Sequence, residues 1–211
     1  MKLFERISKD PEIVEILNQI DKKQCDELPS DHGTHHVMFC VNFIERFLRD
    51  YGCTEHEIDL GKVSALMHDL GNIHGKENHA KNGSLFAQEY LSKLGIADED
   101  KNIIVDAIKN HGSGKNMNSI ITAALVFADK CHWTKDRFHK NSDLENDIVH
   151  KNIKHILRTE AEIRNDKLIL TYFVEDGFTP ESIKVIHDIK PVFPKIAKYL
   201  KKELVVEIKY V

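Results

Sequence analysis

The stretch Ala65-Leu66-Met67-His68-Asp69-Leu70-Gly71 decides how this chain is read. It is an apolar helical run that ends in an adjacent histidine and aspartate. The glycine after them permits the chain to turn away. A His–Asp pair alone says little, because most such pairs in soluble proteins are surface residues. The company of this pair says more: His36 upstream, His79 and His111 downstream, then Asp129 within Phe127-Ala128-Asp129-Lys130. Together they read as imidazole and carboxylate ligands gathered from several helices onto one or two divalent metal ions.

Helical spacing runs outward from that corner in both directions. Upstream, Val37, Cys40, Val41, Ile44, Phe47 and Leu48 predict a helix over Thr34 to Tyr51, ended by Gly52. Thr54 is a suitable cap for the helix that leads to Asp69. Leu3 to Ile20 is predicted helical, divided at Asp10-Pro11-Glu12, and Asp21 to Ser30 is predicted to be a polar connection. Downstream, helices are predicted from His79 to Gly95, Asp98 to His111 and Ser119 to Cys131, with Asn72 to Asn78 as a loop. The last of the three is almost wholly apolar on the way to Asp129, as a central helix should be.

Beyond Asn141 the pattern changes. Leu144 to Leu157 is predicted to form one more amphipathic helix, and Glu162 to Val174 a strand pair about Asn165-Asp166. A helix is expected from Thr179-Pro180-Glu181, disturbed at Pro191 and Pro194, and a closing strand over 205–211. The expected fold is therefore mostly α, a helical metal-binding domain over residues 1–158 with a small α+β extension over 159–211.

The 211 residues are 41% hydrophobic and 30% charged, enough for one sizeable core. A net charge of −4 gives no bulk basicity and argues against a nucleic-acid partner. Cys25, Cys40, Cys53 and Cys131 form no C-x-x-C pair and read as reduced thiols of a cytoplasmic protein. Charges interrupt Met1-Lys2-Leu3-Phe4-Glu5-Arg6 before any signal-like apolar region forms, and no stretch approaches a membrane span.

Residues 31–140 resemble the HD-domain metal-dependent phosphohydrolase superfamily. Its pattern is a histidine at the start of one helix, a His-Asp pair at the end of the next, and a late aspartate. Those positions fall on His36, His68, Asp69 and Asp129. The register of apolar residues after the ligand favours His36 over His35, which is expected to face solvent or a neighbouring helix. Members with two metals add histidines between, and His79 and His111 look like those. The resemblance implies four ligands for a first ion and His79 and His111 for a second, with Asp69 able to bridge. Metal-bound hydroxide would then attack phosphorus in a phosphoester or phosphoanhydride bond.

Many family members carry lysine after the glycine, where this chain has Asn72. A cation for the substrate phosphate is then sought among Lys76, Lys115, Lys130 and Arg137. His32, four residues before the ligand, resembles a leading histidine of the family and is a candidate either to support a ligand or to stand beside the substrate. His74 is a candidate general acid. His79 to Gly83 with His111-Gly112-Ser113-Gly114 is also similar to bacterial HD hydrolases that cleave diadenosine tetraphosphate. The implied partner is a small, nucleotide-like phosphorylated substrate, with a homodimer left open. Two other readings remain: a metal- and nucleotide-binding sensor without turnover, and a di-iron oxygenase. Trp133 stands as either a stacking surface for a base or a cover for the domain edge. His132, His139, His150, His155 and His187 are read as structural.

Overall fold

The computed structural model describes residues 2–27, 30–112, 114, 116–138, 148–189 and 191–211. Helices α1 (Leu3–Ile7) and α2 (Pro11–Glu27) divide where the sequence indicates, and the Asp10 carboxylate accepts the amide proton of Glu12 at 2.9 Å. α2 does not stop at Ile20 as predicted. It continues to Glu27, and Asp21 on that extension accepts the amide and hydroxyl of Thr34 at 2.8 and 2.6 Å. The polar turn thus serves as the N-terminal cap of α3 (Thr34–Tyr51), whose own preceding residue, Gly33, has no side chain to do so. α3 ends as expected at Gly52, which adopts the left-handed conformation at φ 90°.

α4 (Glu55–Met67) begins in a capping box, with Thr54 and Glu57 exchanging side-chain and backbone hydrogen bonds. After His68 and Asp69 the chain tightens into a 3-10 helix, Leu70–His74, where a loop was predicted only from Asn72 onward. α5 (His79–Lys93), α6 (Asp98–Asn110) and α7 (Ile120–Cys131) follow close to their predicted bounds. α7 is buried along nearly its whole length, from Ile121 to Asp129. α3, α4 and α6 pack against it. Phe43 and Phe47 of α3 meet Phe127 edge to face, with ring centroids 5.3 and 5.2 Å apart.

The predicted helix over 144–157 lies partly outside the described residues. Within them, α8 (Ile148–Ile153) is short, and Ile156 and Leu157 already belong to β1 (Ile156–Arg164). Pairing overrides the helical spacing here. β1 runs antiparallel to β2 (Lys167–Val174) from Ile156↔Val174 to Arg164↔Lys167, turning through Asn165 at φ 54°. β2 is the central strand. α9 (Pro180–Ile189) and α10 (Val192–Tyr199) connect it to β3 (Glu203–Tyr210), which pairs with β2 in parallel.

The sheet and α10 close against the end of α7. Phe193 lies 5.6 Å from Phe127 and 6.5 Å from Trp133 between ring centroids, and the Thr159 hydroxyl donates to the Cys131 carbonyl. A single buried apolar cluster runs from Ile7 through α7 to Leu200. Among the described residues, no helix is long and apolar enough to cross a membrane.

Candidate metal centre

Five helix ends meet at the His68–Asp69 corner. His36 comes from the first turn of α3, His68 and Asp69 follow the last turn of α4, and Asp129 lies near the end of α7. His79 opens α5 and His111 caps α6. His36, His68, Asp69, His111 and Asp129 are all buried, and His79 is half-buried. Helix–helix packing carries them inward because each lies one turn from residues of the apolar core.

Gly71 makes the approach of α5 possible. A Cβ on Gly71 would stand 2.0 Å from the His79 carbonyl oxygen and 2.6 Å from the Gly83 amide nitrogen. This revises the expected role of Gly71, which has no positive φ. The residue is needed for close backbone contact, not for a turn.

Asp69 Oδ2 lies 3.6 Å from His36 Nε2 and 3.5 Å from His68 Nε2, while Asp69 Oδ1 lies 3.6 Å from both His79 Nε2 and His111 Nε2. One carboxylate therefore faces two pairs of imidazoles, one pair with each oxygen. Asp129 Oδ1 adds a further donor 3.3 Å from His36 Nε2. The two nitrogens of each pair are 3.2 Å apart for His36 and His68 and 3.3 Å for His79 and His111. Ligands about 2.0–2.2 Å from a shared ion sit about 3 to 3.5 Å from one another, so both donor sets fit a divalent cation. His68, Asp69 and His111 together form one group able to hold an ion.

The electrostatics agree with that chemistry. Burial holds the His68 imidazolium down to about 4, and burial likewise lowers His36 and His79, so these rings present lone pairs near neutrality. Burial alone would raise the Asp69 carboxyl. The nearby imidazoles of His68, His32 and His111 outweigh it and hold the group well below the usual range. At Asp129 burial is likewise outweighed, here by Lys130, His36 and Arg137. Cys40, whose sulfur is 3.8 Å from His36 Nε2, is pushed well up by burial and stays a thiol.

A cavity of about 320 Å³ opens onto Asp69, Asp129, His79 and His111. Lys76, Lys130 and Arg137 contribute charge to its lining, and Trp133, Phe138 and Ile153 contribute apolar surface. His32 also lines it, with Nδ1 donating to Asp69 Oδ2 at 2.9 Å. Arg137 is buried, and Nη1 donates to Asp129 Oδ1 at 3.3 Å, Nη2 to His36 Nε2 at 3.2 Å and Nε to the Asp31 carbonyl at 3.0 Å. Lys130 donates to the other Asp129 oxygen. His74 is exposed and is not among the residues lining the cavity, and Lys115 and His139 lie outside the described residues.

His35 is exposed, as expected, and His36 is the buried member of the pair. Two residues carry more than their sequence reading gave them. Asn72 is buried, with its amide donating to the Asp69 carbonyl at 3.0 Å, which braces the corner. His132, read as structural, is buried with Nδ1 2.9 Å from His36 Nδ1. Its place three residues after Asp129, near the end of the same helix, was the available signal.

A family model for the HD domain matches residues 33–134. No curated protein matches the chain significantly. Among solved structures, a predicted HD superfamily hydrolase from an uncultured Thermotogales bacterium is similar. It is 20% identical, with 67% of this chain and 87% of that chain covered and a TM-score of 0.46. The match of residues 33–134 encloses all six converging residues, so this stretch is the part of the chain that is similar to an HD domain.

Proposed function

We propose that the chain is a phosphohydrolase that uses two divalent ions to cleave a phosphoester or phosphoanhydride bond in a small nucleotide-like molecule. The observation that carries this reading is the Asp69 carboxylate, with one oxygen 3.5 to 3.6 Å from His36 and His68 and the other 3.6 Å from His79 and His111. His36, His68, Asp69 and Asp129 would hold the first ion, and His79, His111 and Asp69 the second. Bound there, the ions would supply Lewis acidity toward phosphate oxygens and lower the pKa of coordinated water.

The residues of the chain account for the rest of the task. Lys130 and Arg137 share the Asp129 carboxylate and border the cavity, so they would offer cationic donors to an entering phosphate. Lys76 supplies a third positive charge from the exposed rim. Trp133, Phe138 and Ile153 form an apolar wall that suits a base or another flat organic moiety attached to that phosphate. His32 bonds to Asp69 and is placed to orient the carboxylate or to exchange a proton with a group in the cavity.

The test is to assay metal-replete and chelator-treated protein on a panel of nucleotides and simple phosphoesters. Release of phosphate or nucleoside phosphate, lost with chelator and restored by added ions, is the expected result. Metal-replete protein that binds a nucleotide without turnover would support a sensor instead. Oxygen uptake by the iron-loaded protein would support an oxygenase.

A further inference from the structure

Outside the six converging residues, His35, His132 and Asp136 form a second group whose ligand-type atoms lie within 4.8 Å of one another. His132 is 1% exposed, and its Nε2 makes no hydrogen bond, lying 3.9 Å from Asp136 Oδ2. Taken alone, the group resembles a third cation site. The hydrogen bond on the opposite side of His132 decides otherwise.

His132 Nδ1 and His36 Nδ1 are 2.9 Å apart, their rings are only 4° from parallel, and the centroids are 5.2 Å apart. Rings lying face to face cannot bring two nitrogens that close, so the rings meet edge to edge with one proton between them. Arg137 Nη2, which can only donate, lies 3.2 Å from His36 Nε2, and a lone pair on that nitrogen satisfies it. An ion held by Nε2 requires the same lone pair. In a neutral His36 the proton must then reside on Nδ1, and His132 Nδ1 accepts it. His132 in turn carries its own proton on Nε2, which faces the Asp136 carboxylate. That nitrogen carries a proton and offers no lone pair, so the group is not an ion site. Phe39 lies flat against His132, with centroids 4.1 Å apart at 9°, and fixes the plane of the ring.

We propose that His132 is a positioning residue for the first ion: it accepts the Nδ1 proton of His36 and so holds the Nε2 lone pair toward Asp129 and Asp69. This rests on the reading of the converging residues as a metal centre. The general chemistry is that of metal-bound histidines, whose second nitrogen is held by an outer partner that sets tautomer and ring orientation.

The test is calorimetric titration of chelator-treated protein with Mn²⁺, in the wild type and in a His79→Ala background that leaves the first position alone. His132→Phe keeps a ring against Phe39 and removes the acceptor. It is expected to weaken the first position by about 10- to 100-fold while the second, measured in a His36→Ala background, changes little. His132→Gln, whose amide oxygen can accept the proton, is expected to recover most of the loss. Equal weakening of both positions, or His132→Phe binding as tightly as wild type, overturns the proposal. If His132→Phe does not fold, His132→Leu carries the test: a several-fold loss at the first position alone supports the proposal, and unchanged affinity overturns it. Wild-type protein that takes up no Mn²⁺ overturns the metal reading itself.

Discussion

Gly71 and Gly83 meet backbone to backbone: a Cβ on Gly83 would lie 3.3 Å from the Gly71 amide nitrogen, and one on Gly71 would lie 2.6 Å from that of Gly83. This contact seats α5 on the His-Asp corner and brings His79 to within 3.6 Å of Asp69. Gly71→Ala should therefore force the two segments apart, because the clash is with backbone that has no rotamer to adopt. The expected result is a loss of about 1–3 kcal/mol in chemical unfolding, with weaker binding at the His79–His111 position. A variant as stable as the wild type, with unchanged metal uptake, would refute the close-contact role.

The buried imidazoles set the acid limit of the metal-free protein. His68 stays neutral in the fold down to about 4, while the unfolded chain takes up that proton near the ordinary value of 6.5. Between those values the unfolded state binds more protons, so stability rises with pH and is lost as pH falls from 6.5 toward 4. His36 and His79 are lowered as well and act in the same direction. Asp69 and Asp129, both held below the usual carboxylate range, extend the loss to lower pH still. Thermal melts of chelator-treated protein should show Tm falling steadily below pH 6.5. A flat or rising Tm across that window would contradict the neutral, buried assignment.

Arg137 and Lys130 share the two oxygens of Asp129, but they differ in burial and geometry. Arg137 also reaches the Asp31 carbonyl and His36, so its planar fork holds three directions at once. Arg137→Lys should lower kcat/KM for the active nucleotide by about 10-fold or more and weaken the fold modestly. Lys130→Ala should raise KM with little effect on Tm, since Lys130 is only partly buried. Steady-state kinetics beside melting curves separate the two. Equal kinetic effects with equal loss of Tm would argue against distinct roles.

The fold was legible where local spacing and final packing agree. α3 has the predicted bounds because its apolar stripe, Val37 through Leu48, and the left-handed Gly52 point to the same helix. His36, His68, Asp69, His79, His111 and Asp129 converge in the fold because each lies near the end of a helix whose apolar face is unmistakable. What was not legible depended on partners distant in sequence. Ile156 and Leu157 fit a helical stripe, yet pairing of β1 with β2 draws them into a sheet. The polar end of α2 is held by Asp21 against Thr34, a cap donated from another helix. His132 stands three residues after Asp129, but its bond to His36 spans 96 residues. Gly71 could be read as a turn because spacing alone does not show what backbone presses against it.

The shared use of Asp69 is tested most directly by elemental analysis of metal per chain, in wild type and Asp69→Ala prepared side by side. Wild type saturated with divalent ion should hold two ions per chain, and Asp69→Ala, still folded by circular dichroism, should hold almost none. An Asp69→Ala protein that keeps the wild-type metal content would contradict the account at its centre.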